Sequence, residues 1–321
     1  MTTMTSPPRA PEEAKQPVQT GRHPRLRRTG HRRWTAPIGD IVIPRGIQVA
    51  LWVWVLFNLL MAVWVGITSL KSDSEIFATP FGLPASPEWE NFVSAWTVSG
   101  FGGVTLNTIV IVTISASLTI ALGAPAAYVL ARSSRRWISG INTYTALCVA
   151  LPVQTILVPL FIAKTEVHQF AVEILFGWWD DRITLVFIYV GTSLPFTIFL
   201  LTAAFRGLPS ALPEAAALDG ASPARTFWSI MMPVAWPAVK SAFVLNFLHM
   251  WNEALLVLVL INSPSEQTLP AALLRLYGTM QYNSNWGGLF AGVVIVIYPM
   301  ILLYLWVGRR IMEGMTSGAV K

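Results

Sequence analysis

The 321-residue chain has little of what a soluble enzyme needs. It holds a single cysteine, Cys148, which excludes a disulfide framework and a Cys/His metal cluster within the chain. Charged residues make up 12% against 54% hydrophobic, too little polar surface to cover an ordinary globular domain. No GxxxxGK[S/T] phosphate loop occurs, so ATP finds no ordinary cradle here, and no HExxH zinc spacing occurs either. The net charge of +6 comes from cations bunched in the N-terminal tail and the short loops, not along one face, which speaks against nucleic acid as a partner.

What is present is a series of apolar runs. At about 1.5 Å per residue, six are long enough to cross the ~30 Å hydrocarbon core of a bilayer. They cover 47–69, 106–130, 141–162, 183–205, 239–261 and 289–307. The fold expected is all-α, a polytopic membrane protein of six transmembrane helices spanning residues 47–308. Residues 1–46 form a basic tail expected to be disordered. Arg32 and Arg33 raise the thought of a twin-arginine export signal, but Asp40, Pro44 and Arg45 interrupt any short apolar core. Residues 309–321 form a short tail at the other end. Lys and Arg crowd both tails, the turn at Arg132, Arg135 and Arg136, and the loop after Arg206, while acids dominate the alternate loops. Both termini are therefore expected on the cytoplasmic side.

The runs differ in character. The second is rich in Thr, Ser, Ala and Gly, with Gly123 near its end, which suits close helix packing in lipid. Pro152 and Pro159 predict kinks in the third, and Gly191 and Pro195 predict a break in the fourth.

The most informative stretch is the polar loop 206–238. It reads as two short helices. Ser210 is the expected cap of the first, Pro213 falls in its first turn, and Gly220 ends it in the left-handed conformation. Ser222 and Pro223 open the second as N-cap and N1, Phe227, Ile230 and Met231 share a face, and Pro233 is expected to stop it. Between these signals Ala215, Ala216 and Ala217 would let another protein's backbone approach closely. Glu214 and Asp219 offer charge at the rim of such a contact.

The fifth run carries Asn246, His249, Asn252 and Glu253 in an otherwise apolar helix. Asn246, His249 and Glu253 fall on one face, and a carboxylate inside a span costs at least a few kcal/mol unless paired or wet. Two roles compete: interhelical hydrogen bonding, and lining or gating of a pathway, the latter expected above all of Asn252 and Glu253. Trp251, the nearby aromatic, points off this face.

The phrase EAAALDGA, with Phe227, Ile230 and Pro233 after it, resembles the EAA loop of permease subunits of binding-protein-dependent ABC importers. Met232 stands where that family usually has leucine. SLKSDSEIF with WENF, HMWNEALL and the terminal GMTSGAVK are similar to phrases of the MalG-like carbohydrate branch. The resemblance implies the type I ABC importer permease fold, with 206–238 as a coupling loop in which Glu214, Ala215, Ala216, Asp219, Gly220 and Pro233 dock in a separate ATPase. It implies as partners an ATPase dimer using ATP and Mg, a second homologous permease subunit and an extracytoplasmic sugar-binding protein, in a bacterial or archaeal plasma membrane. No cofactor is expected on this chain itself. The cargo implied is a mono- or oligosaccharide, with another solute such as glycerol phosphate as the alternative. Two rivals are weaker. An intramembrane enzyme using His249 and Glu253 as acid and base lacks a group to orient the histidine. An ATP-independent transporter would usually show paired repeats in one chain.

Overall fold

The computed structural model describes residues 45–97, 100–133, 135–174, 180–279 and 284–316, and among these every regular element is helical. The basic tail up to residue 44 and the last five residues of the GMTSGAVK phrase lie outside the described residues. The chain divides at Trp54–Val55, part-way along the first helix, and the architecture below is that of the part from Val55 onward.

Among the described residues five helices are long and apolar enough to cross a membrane, and one sharply bent helix pair reaches that length and hydropathy only when its two halves are taken together. The first, α1 (Arg45–Thr68), keeps its apolar side chains from Val55 to Leu60 exposed, as lipid contact requires. A loop bearing two short helices, α2 (Asp73–Ala78) and α3 (Glu90–Thr97), leads to α4 (Phe101–Arg132). Within that loop Lys71 is fully buried, its Nζ donating to the carbonyls of Thr79 at 2.6 Å and Pro80 at 3.4 Å.

The central pair is α4 against α7 (Asp181–Gly207), which pack along much of their length. The small residues of α4 explain the fit. Ser115, Ala116, Thr119, Gly123, Ala124 and Ala127 are all buried, and a Cβ added at Gly123 would stand 2.9 Å from Cγ2 of Thr197 on α7. Thr197 is β-branched and stiff, so it cannot swing aside easily. Gly123→Val is expected to cost about 1–3 kcal/mol by overpacking, read as a lower thermal midpoint of the purified permease, with Gly103→Val, where the space is open, as the neutral comparison.

Contrary to the break expected at Gly191 and Pro195, α7 runs through both without interruption. Proline removes one N–H from a 27-residue ladder, and a helix held against its neighbours tolerates that loss. The third run departs further from a single kinked span. Here α5 (Arg136–Ala150) ends at Leu151 and Pro152, a 3-10 turn follows over Val153–Ile156, and α6 (Leu157–Ile174) leaves at 93° to the incoming helix. Proline at 152 denies the ladder a donor and disfavours a helical Leu151, whose φ/ψ of −77/121 is extended. Near the middle of α6 Lys164 forms a largely buried ion pair with Asp181 at 2.8 Å, tying α6 to the start of α7.

After α7 come α8 (Ala211–Leu218), α9 (Pro223–Thr226), a π-helical stretch over Phe227–Met231 and α10 (Met232–Asn252). The last three are continuous, a 30-residue helix from Pro223 to Asn252. Pro233 therefore does not stop a helix. In the wide turn the N–H of Met232 donates to the carbonyl of Phe227, five residues back, and Pro233 then occupies the first turn of α10. The fifth span consequently starts earlier than position 239. It also ends earlier than 261: Glu253 is extended, and a separate short helix, α11 (Leu255–Leu260), follows. The chain closes with α12 (Leu269–Thr279) and the long α13 (Trp286–Thr316), which carries helix past residue 309 where a tail was expected.

Three apolar clusters hold these elements. One joins α4, α7, α10 and α11 through Ile111, Leu185, Met250 and Val257. A second, at the end bearing α8, gathers Leu201, Phe205, Phe227 and Met231. The third places Trp251 with Phe101, Leu269 and Val296, between α10 and α13.

Candidate functional site

The polar loop offers an exposed knob. In α8 only Ala216 is buried, at 4% exposure, while Glu214, Ala215, Ala217, Asp219 and Gly220 face solvent and Leu218 is 90% exposed. Gly220 adopts φ +76°, and the turn closes with Gly220 N–H donating to Ala217 O at 3.1 Å and Ala221 N–H to Ala216 O at 2.9 Å. That is the left-handed helix end expected from the sequence. Ser222 caps α9 by accepting from the Arg225 N–H, also as expected. Ser210, however, makes no side-chain cap; it is itself helical, and its carbonyl accepts from Glu214. The reason is Pro213, which sits where a capping hydroxyl would look for an N–H and has none to give.

What anchors the knob is aromatic. Phe227, buried at the start of the π turn, packs its ring 5.2 Å from Tyr128 of α4, 6.2 Å from Phe205 of α7 and 4.8 Å from Trp228. Arg132 Nη2 donates to the carbonyl of Leu208 at 3.0 Å, tying the end of α4 to the chain entering α8. Pro233, exposed, follows directly after the same turn. The turn behind α8 is thus packed against α4 and α7 and continuous with α10.

The second feature is a cavity of about 450 Å³ between the α5–α6 break, α7 and α10. Of the polar residues singled out on the fifth run, Asn246, His249 and Glu253 all line it. Asn246 is 1% exposed and donates both amide hydrogens, to Thr197 Oγ1 at 2.7 Å and to Ala242 O at 2.9 Å, so its amide nitrogen joins α10 to α7. Glu253 stands past the helix end, where Oε1 accepts from the Leu256 N–H at 2.9 Å. Asn252 turns elsewhere, exposed, with its amide on Leu248 O. Trp251 lies off this face as expected, stacked on Phe247 and donating to Val296 O. Residues not anticipated from the sequence complete the wall: Gln154 on the 3-10 turn, and Thr192, Ser193 and Phe196 on α7. A Thr-Ser pair two residues ahead of a proline in an apolar run was the available signal.

Residues 119–313 match the family described as binding-protein-dependent transport system inner membrane component. The chain belongs to that family. Relatives in it include the diacetylchitobiose uptake system permease protein NgcG of Streptomyces coelicolor, 34% identical over 84% of this chain and 86% of its own length. The trehalose transport system permease protein SugB of Mycobacterium tuberculosis is 31% identical, over 83% and 93%. A probable starch degradation products transport system permease protein, AmyC of Thermoanaerobacterium thermosulfurigenes, is 30% identical over 79% and 89%. Among solved structures, a bacterial ABC transporter involved in import of the acidic polysaccharide alginate superposes with a TM-score of 0.67 at 20% identity, covering 82% of this chain and 94% of that one. The chain thus has the fold of an ABC importer permease, and the family match places it among inner-membrane components of transport systems.

Proposed function

We propose that this chain is a permease subunit of an ATP-driven importer of mono- or oligosaccharides, and that it transmits the work of separate ATPase subunits through α8. The single observation that carries this reading is the exposed, glycine-terminated α8 locked by Phe227 to α4 and α7. A helix whose outward face is small side chains with one protruding leucine and flanking carboxylates fits a groove on another protein. Glu214, Ala215, Asp219 and Gly220 form the exposed part of that docking element; Ala216, expected with them, instead turns inward and seats the helix on the chain behind it, and Pro233 belongs to the joint. The sugar reading draws on the three relatives named above.

In this reading ATP and Mg act on an ATPase dimer, a second homologous permease completes the pathway, and an extracytoplasmic binding protein delivers the solute. The α8 end faces the cytoplasm, as do both termini, in a bacterial or archaeal plasma membrane. ATP-driven closure of the ATPases draws the two coupling helices together, and the spans shift between inward- and outward-open states. The nucleotide contributes only through its differential stabilisation of those two states. The experiment is a pull-down of the detergent-solubilised complex, followed by ATPase assays over a panel of sugars with the matching binding protein. Co-purification of a soluble ATPase whose turnover rises with one of the sugars supports the reading; a permease that never retains an ATPase contradicts it.

A further inference from the structure

At the end of the bundle away from α8, the loop between α1 and α4 folds back along the flank of α1. The two ends are fixed by α4, which starts beside α3 and finishes at Arg132, bonded to Leu208 next to α8. Trp64 lies four residues, about 6 Å, before Thr68 at the end of α1. A helical side chain leans toward the N-terminus of its helix, so the Trp64 ring reaches deeper still, toward the middle of the span. There its Nε1 donates to Pro80 O at 2.9 Å, and its ring stands 6.3 Å from Phe81 and 5.6 Å from Phe290, itself four residues into α13. The tip of the loop therefore sits about one helical turn below the helix ends, at the level where tryptophan marks the boundary of membrane and water.

The tip suits that boundary chemically. From Ile76 to Pro87 no residue is charged, and Phe81 and Leu83 stand 86% and 78% exposed. Adjoining exposed apolar groups of this size mark a contact surface. The polar groups of the loop turn inward instead. Lys71, buried behind the tip, clamps it by donating to the Thr79 and Pro80 carbonyls. Burying an ammonium is costly unless it is hydrogen-bonded, and here its bonds fix the segment from which Phe81 projects. Glu75 closes the other side, accepting from the Ala85 N–H at 3.1 Å while it completes the capping box of α2. The Gly82 N–H is bonded to Thr79 O, and Pro80, Pro84 and Pro87 have no N–H to leave unpaired. Such a surface offers a soluble partner little of the hydrogen bonding that protein interfaces use. Through Trp64 it is continuous with the exposed apolar flank of α1, where Leu60 lies one turn away on the same face.

We infer that residues 78–85 form an interfacial anchor, a rigid tip clamped by Lys71 that sinks Phe81 and Leu83 into the headgroup and acyl boundary of the leaflet away from α8. The partner is the lipid surface itself. Apolar burial rather than headgroup charge drives the contact, since no lysine or arginine stands in the tip. The anchor sets the height of the α1 end, and with it the ring contacts of Trp64 with Phe290 and of Phe77 with Trp286 that join α1 and α2 to α13. It depends on the membrane spans alone and not on the identity of the cargo.

The test is photocrosslinking in native membranes, with p-benzoylphenylalanine placed in the full chain at Phe81 or at Leu83 and the adducts identified by mass after digestion. Leu59, on the exposed flank of α1, is the lipid-facing reference, and Ser74 and Glu90, exposed elsewhere in the same loop, are the aqueous ones. Phe81→p-benzoylphenylalanine and Leu83→p-benzoylphenylalanine should give phospholipid adducts in yields close to that at Leu59 and several-fold above those at Ser74 and Glu90. Lys71→Met, which removes the clamp, should lower the yield at position 81 several-fold. An unchanged yield at Leu59 certifies that this variant is inserted. Should Lys71→Met disturb Leu59 as well, Glu75→Ala, which frees Ala85 on the other side of the tip, carries the same comparison. The inference is overturned if the adducts at both positions are with protein, whether a second permease or an extracytoplasmic binding protein. It is equally overturned if the lipid yield there only equals that at Ser74 and Glu90, or if the clamp variants leave it whole.

Discussion

Gly220→Val should abolish uptake and release the ATPase while leaving the permease inserted in the membrane. The cause is backbone geometry alone, because a Cβ at Gly220 would meet nothing within 4 Å. At φ +76° an L side chain costs roughly 1–2 kcal/mol, and a β-branched one more, so the turn that ends α8 is expected to reopen. Reopening it frees the hydrogen bonds from Gly220 and Ala221 and swings an eight-residue helix whose only buried residue is Ala216. Misdirecting a docking element of this kind costs about 2–4 kcal/mol of interface energy, enough to weaken association by one to three orders of magnitude. The ordering of variants is the discriminating result. Asparagine, which tolerates the left-handed region, should lose least, alanine more and valine most. Glu214→Ala, which leaves the turn intact, should weaken docking without changing the helix. Normal uptake by the valine and Glu214→Ala variants would contradict the coupling role of α8.

Phe227→Ala should be the more destructive change for the protein itself. The ring is 5% exposed and touches Tyr128, Phe205 and Trp228, so truncation leaves a void where four aromatic groups meet. Core losses of this size cost about 3–5 kcal/mol. The measurements are the thermal midpoint of the detergent-solubilised permease and sugar-stimulated ATPase activity. The midpoint should fall by several degrees, and any permease that survives should hydrolyse ATP without responding to sugar, because α8 would no longer be fixed to α4 and α7. Phe227→Leu, which keeps most of the volume, should retain both properties in part. An alanine variant with wild-type coupling would show that the joint passes no motion.

Much of this architecture was legible in residues with local, context-free consequences. Gly220 and the Ser222-Pro223 pair announce their conformations wherever they occur, and both adopt them. The small residues of the second run likewise mark the surface on which α4 meets α7. Prolines were read less well, because their effect depends on what surrounds them. Pro195 is absorbed in a long helix, Pro233 is accommodated by a π turn, and Pro152 alone breaks a span. The interruption at Glu253 carries neither proline nor glycine, and it falls where the carboxylate can bond the first turn of α11. Periodicity cannot distinguish that from one continuous apolar helix. The cavity residues on α7 left only the Thr192-Ser193 pair as a signal, because which face of a largely apolar helix looks inward is decided by its neighbours.

The unbroken rod from Pro223 to Asn252 has a mechanical meaning. It begins two residues beyond the glycine turn and, 26 residues on, carries His249 at the cavity wall. Over that length of about 39 Å, a tilt of about 10° at the near end would displace the far end by roughly 7 Å. If α8 is the seat of an ATPase as proposed above, a lever of those proportions would turn a small rotation there into a displacement of several ångströms at the cavity wall.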